Sequence, residues 1–208
     1  MRLKKVLAAT LAATMVMASA VTVFAAPTTV QSSGSEETPA TFEEVYSQPA
    51  GAAISVAGTD VKTSLQGVYA ATSVEGVAVT TALADVKTAL GLTADQQPVI
   101  VIYDTDPKKS TAAMVSVNAA VEALGGEFVS SLNVDLGARE DGKWVTLEDG
   151  SVAMAAGLPK DADTSKTYCV VCVQPGGTTT ILEDQDTNPK TVTFAVQAGL
   201  ATYAIVAK

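Results

Sequence analysis

From Phe128 to the C-terminus every local signal is β. That run of short strands separated by turn residues limits the fold more than any other feature of the sequence. Phe128, Ser130, Leu132, Val134 and Leu136 alternate with their neighbours, the period-two pattern of a strand with one buried face. Asp141-Gly142 sits between two strand-like runs and favours the turn whose twist suits a hairpin, so Trp144–Leu147 is the return strand. Tyr168–Val173 and Thr178–Leu182 flank Pro175-Gly176-Gly177 as a second hairpin. Val192, Phe194 and Val196 alternate with Thr191, Thr193 and Ala195, and Leu200–Val206 closes the series. Strands at this spacing, with turns between them, predict a mainly antiparallel β-sandwich-like region over 127–208.

The preceding segment, 51–126, is mixed. Gly67–Thr72 and Gly76–Val79 read as two short strands joined by Ser73-Val74-Glu75, a hairpin. A short helix is expected over Thr81–Leu90, where Leu83, Val86 and Leu90 share a face and Gly91 sits at the stop position. Val99–Tyr103 is unbroken apolar and β-branched, the pattern of a central strand covered on both faces. Asp106-Pro107 is a helix start, Met114, Val117, Val121 and Leu124 recur at helical spacing, and Gly125-Gly126 ends the helix. Strand, helix and strand in this order predict a parallel right-handed crossover. The fold class is therefore α+β: a strand-helix-strand segment followed by the sandwich-like region, the two packed as one unit.

The N-terminus reads as an address. Arg2, Lys4 and Lys5 precede an apolar run from Val6 to Phe24, and Val23-Phe24-Ala25 offers small residues where a signal peptidase cuts. Residues 1–25 are read as a signal peptide, and 26–50, with Pro27, Pro39 and Pro49 among Ser, Thr and Glu, as a disordered linker. Acidic residues outnumber basic ones 22 to 13, and the signal holds three of the bases and no acid, so the exported chain is more acidic still. That balance disfavours nucleic acid and anionic lipid, which are held by Lys and Arg. No second apolar stretch is long enough to span a bilayer, and Ala204–Lys208 offers no hydrophobic tail for covalent wall anchoring. The sequence contains no histidine, which removes imidazole bases, Ser-His and Cys-His pairs and His-ligated metals.

Residues 191–206, TVTFAVQAGLATYAIV, resemble the closing motif of small β-sandwich modules on Gram-positive secreted and surface proteins. In those modules a V-T-F strand precedes a stretch close to F-S-T-Y-A-I-V; here Leu200 stands for the second Phe and Ala201 for the Ser. Tyr168–Val171 matches their Tyr-Val-Val strand before a glycine-containing turn, and VIVIYDTDPKKS and AAVEALGGEF are similar to stretches of secreted clostridial proteins of unknown role. The resemblance implies a sandwich fold and a location outside the cell, and it carries no catalytic residues.

Four constellations could carry chemistry. Cys169 and Cys172 have the spacing of a redox or metal motif, but on a strand residues three apart point to opposite faces, so they read as two buried free thiols. Asp184, Asp186 and Asn188 copy the first ligands of a calcium loop, yet Pro189 occupies the required glycine position and Ala195 replaces the final Glu, so a polar hairpin loop is expected. Trp144, Tyr168 and Tyr203 could stack sugars, but so few aromatics are read as core. The last is the candidate ligand loop Asp104, Asp106, Lys108 and Lys109, at the end of a central strand and the start of a helix, where anions and ligands gather. It lacks the glycines of nucleotide-binding loops. No catalytic, cofactor or metal residues are predicted. The expectation is a secreted or cell-surface, non-catalytic module binding a protein or cell-wall component. The alternative is a secreted small-ligand-binding protein or enzyme using the loop Asp104–Lys109.

Overall fold

The alternating strands sort their apolar residues onto one side, and that side needs a second sheet to cover it. In the computed structural model, which describes residues 41–208, the covering is done by two unequal sheets. In chain order the elements are α1 (Phe42–Tyr46), β1 (Ser47–Gln48), β2 (Ala53–Val56), β3 (Thr59–Lys62), β4 (Gln66–Ala70) and β5 (Val77–Val79). Then come α2 (Leu83–Ala89), β6 (Gln97–Asp104), α3 (Thr111–Leu124), β7 (Glu127–Glu140), β8 (Lys143–Thr146) and β9 (Ser151–Gly157). The last four are β10 (Tyr168–Val173), β11 (Thr179–Glu183), β12 (Thr191–Gln197) and β13 (Gly199–Ala207). The protein is α+β with strands dominant.

The large sheet runs β1-β4-β6-β7-β13-β10-β11, with β8 also paired to β7; the small one runs β12-β9-β5. Every pairing is antiparallel except β4 with β6. Ile100, Ile102, Leu132, Leu136, Tyr203 and Ile205 point from the large sheet into a core shared with Val79, Met154, Val192, Phe194 and Val196 of the small one. Each such side chain contributes about 1.5–3 kcal/mol by leaving water. On the outer face α3 lays Val117, Met114, Val121 and Leu124 over Cys169, Val171, Ala204 and Val206. Among the described residues no helix is long and apolar enough to cross a membrane.

Several expectations need correction. The crossover is not parallel: β6 pairs antiparallel with β7, Gln97 opposite Arg139 and Asp104 opposite Leu132. Strand β7 runs past the Asp104 end of β6, its residues 127–131 lying beyond the Asp104–Leu132 pair. Helix α3 advances from the Asp104 end of β6 towards Val206 and Ala207, against which Gly126 packs, so the chain enters β7 on the side where β6 ended and is not carried back to the Gln97 end. The helix itself starts at Thr111; Asp106 instead closes a separate turn, its carbonyl accepting from the Lys109 and Ser110 amides. Residues 67–79 are no hairpin, because β4 and β5 belong to different sheets. Their connection crosses between the layers, held where the Glu75 amide donates to the Gly157 carbonyl and the Glu75 carbonyl accepts from Ala57.

The extended lead also ends sooner than residue 50. Thr41 and Glu44 form a reciprocal capping box on α1, and β1 pairs with β4. The rest of the linker, and the signal peptide, lie outside the described residues. Strand β6 is fully covered on one face only: Ile100 and Ile102 are buried, whereas Tyr103 on the other face is 37% exposed.

Candidate functional site

The loop after β6 is built by competition for carboxylates. Asp104 accepts from the Thr72 amide at 2.9 Å, the Thr72 hydroxyl and the Ser73 amide at 2.9 Å, so it ties its strand end to the chain leaving β4. Partial burial raises its pKa, but the hydrogen bonds from Ser73 and Thr72 outweigh that and leave it below the ordinary aspartate value. Asp106 accepts from the Lys108 amide and lies 3.8 Å from Lys109 Nζ in an exposed pair. Lys108 and Lys109 are exposed. The four predicted loop residues therefore do not converge: Asp104 faces the Thr72–Ser73 turn and Asp106 caps its own.

The other sequence candidates are occupied by the fold. Cys169 and Cys172 are free thiols on opposite faces of β10, one under α3 and one in the inter-sheet core. Burial raises the pKa of both. The loop joining β11 to β12 passes between sheets and is not a hairpin. In it Asp184 accepts from the Asp186 and Thr193 amides, and Asp186 accepts from the Thr191 and Thr193 hydroxyls. Among the described residues no three acidic or cysteine side chains cluster as metal ligands do. Tyr168 and Tyr203 are core residues, but Trp144 is not: pairing opposite Arg139 puts it on the outer face, 38% exposed.

That outer face holds the arrangement that the strand pattern concealed. Helix α3 covers only the β10–β13 side of the large sheet. Beyond its N-terminus opens a cleft of about 500 Å³, walled by Ser110, Ala113 and Ser116 on one side and the Gln174–Gly177 turn on the other. Its floor includes Tyr103, Asn133, Leu200 and Thr202. Asn133 is 7% exposed, and its side-chain oxygen accepts from the Thr202 hydroxyl at 2.7 Å. Register continues the same face along β7: Asp135 opposite Val101 and Leu200, then Gly137, then Arg139 opposite Trp144. Burial raises the pKa of Asp135, and burial, with Asp135 nearby, raises that of Tyr103. A side chain on Gly137 would strike the six-membered ring of Trp144 at Cζ2, so the ring rests on bare backbone.

Asn133, Asp135 and Gly137 fall on the side of β7 opposite the buried Leu132, Val134 and Leu136, where alternation alone does not tell a cleft from solvent. The one available signal was the single Trp on a short strand opposite a glycine-containing one. No protein-family model, curated protein or solved structure matches this chain.

Proposed function

We propose that the protein is a non-catalytic binding module working outside the cell, secreted or wall-associated, and that it binds a protein or cell-wall component through the uncovered outer face of its large sheet. The observation that carries this reading is the placement of Trp144, Tyr103 and Leu200, 38%, 37% and 46% exposed, on one side of interlocked strands. A chain with 5% aromatics that holds its single Trp outside the core supports an interaction surface there. The leader-like N-terminus and the resemblance of 191–206 to surface modules support the location.

The alternative, a small-ligand protein or enzyme at Asp104–Lys109, is favoured by the size of the neighbouring cleft, which suits a small molecule. It is disfavoured by the engagement of Asp104 with Thr72 and Ser73. Binding of the exported protein to intact cells and wall fractions, compared with Leu200→Arg, tests the proposal. Retention that Leu200→Arg abolishes supports it; retention that the variant leaves unchanged, or no retention at all, sinks it.

A further inference from the structure

Two polar groups on the outer face have bonding capacity to spare, and they lie between two exposed rings. Asn133 is buried to nine-tenths, yet its side-chain nitrogen has no acceptor among the described residues although the residue lines the cleft. Asp135 is half-buried, with neither a hydrogen-bond donor nor a cation against it among the described residues. On one side stands Tyr103, paired with Asn133; on the other Trp144 lies over Gly137. Asn133 and Gly137 are four steps apart along the strand, about 13 Å at the usual rise per residue.

The chemistry of that row narrows its occupant. A ligand must donate to a carboxylate and accept from an amide, and offer flat C–H faces to two rings set apart along a line. An anion meets Asp135, and a purely apolar ligand leaves both polar groups desolvated and unpaired. A peptide added as an extra strand has no edge to join, because β6, β7 and β13 are interior strands at this point. Hydroxyl groups both donate and accept, and sugar rings carry apolar faces.

Resting on the reading above, we propose that the face binds a neutral oligosaccharide chain. One sugar stacks on Tyr103 in the cleft, hydroxyls bridge Asn133 and Asp135, and a further sugar stacks on Trp144.

The single Trp makes the test direct. The intact exported chain is titrated with β-1,4-linked N-acetylglucosamine and glucose oligomers, from monosaccharide upward, while Trp144 emission is followed. The proposal expects a saturable blue shift with at least one series, absent for the monosaccharide and tightening with length until the chain spans both rings. Tyr103→Ala and Asp135→Asn should each weaken binding about tenfold. Asp135→Asn should also raise Tm, because it removes an unpaired, half-buried charge; that separates lost contact from lost folding. Three results overturn the proposal: no response to any oligomer, affinity unchanged in Asp135→Asn, or an emission shift that follows protein concentration without sugar, the mark of a second copy on the face. If oligomers fail while cell binding remains sensitive to Leu200→Arg, the oligosaccharide is wrong and the binding face stands. If Leu200→Arg changes nothing, both fall.

Discussion

Asp104 shows how a carboxylate that looks functional in sequence becomes part of the frame. Three donors from Thr72 and Ser73 reach it, so the bond network, not a ligand, sets its charge. Asp104→Asn keeps the shape but turns one acceptor into a donor facing other donors. The expected cost is about 1–2 kcal/mol, charge-assisted hydrogen bonds discounted for partial exposure. The pH dependence has a definite sign. A carboxyl whose folded pKa is depressed stabilises the fold above its unfolded value, and that contribution disappears as pH falls through the folded value. Wild type should therefore lose its advantage over Asp104→Asn only below about pH 4. Thermal melts of both proteins between neutral and acid pH check this; a stability gap independent of pH would show that the carboxylate is not the clamp.

Helix α3 marks the boundary between what sequence revealed and what it did not. Val117, Met114, Val121 and Leu124 are legible as one face, and they touch the sheet together with Ala113 and Ala120. Helical periodicity is a local property, so it survives translation into structure. The direction of the following strand is not local: it depends on where the helix delivers the chain, and β7 receives it on the side where β6 ended. The same limit explains the false hairpin at 67–79, since two adjacent strands can as easily join different sheets. The candidate site suffered most. Asp135 and Asn133 sit at polar positions of an alternating strand, and nothing in that pattern distinguishes solvent from the wall of a cleft. Contrasting substitutions test the helix assignment. Val117 is fully buried and Val115 is 65% exposed. Val117→Ser should cost about 2 kcal/mol or more, and Val115→Ser less than about 0.5, by urea unfolding. Equal costs would mean that another face of α3 meets the sheet.

At the scale of the whole molecule, one sheet serves two cores. Strands β10 and β13 send Val170, Cys172, Tyr203 and Ile205 towards the small sheet and Cys169, Val171, Ala204 and Val206 towards α3. These layers differ in what must break to open them. Reaching Cys172 requires the two sheets to part, which exposes Phe194, Met154 and Tyr203 together. Reaching Cys169 requires only that a helix faced with Ala113, Met114, Val117, Ala120 and Val121 lift away. Local openings that expose less apolar surface need less free energy, so α3 should detach below the global unfolding threshold. Neither thiol should react in the closed state, because burial raises both pKa values and the thiolate is the nucleophile. Under native conditions a maleimide should therefore label Cys169 faster than Cys172, and mild urea should widen the difference before the two rates converge at full unfolding. Cys172→Ala should retain the fast phase and Cys169→Ala should lose it, with mass spectrometry of tryptic peptides assigning the sites. Identical rates at every urea concentration would instead mean that helix and sandwich open as a single cooperative unit, and that the shared strands couple the two cores more tightly than their separate faces require.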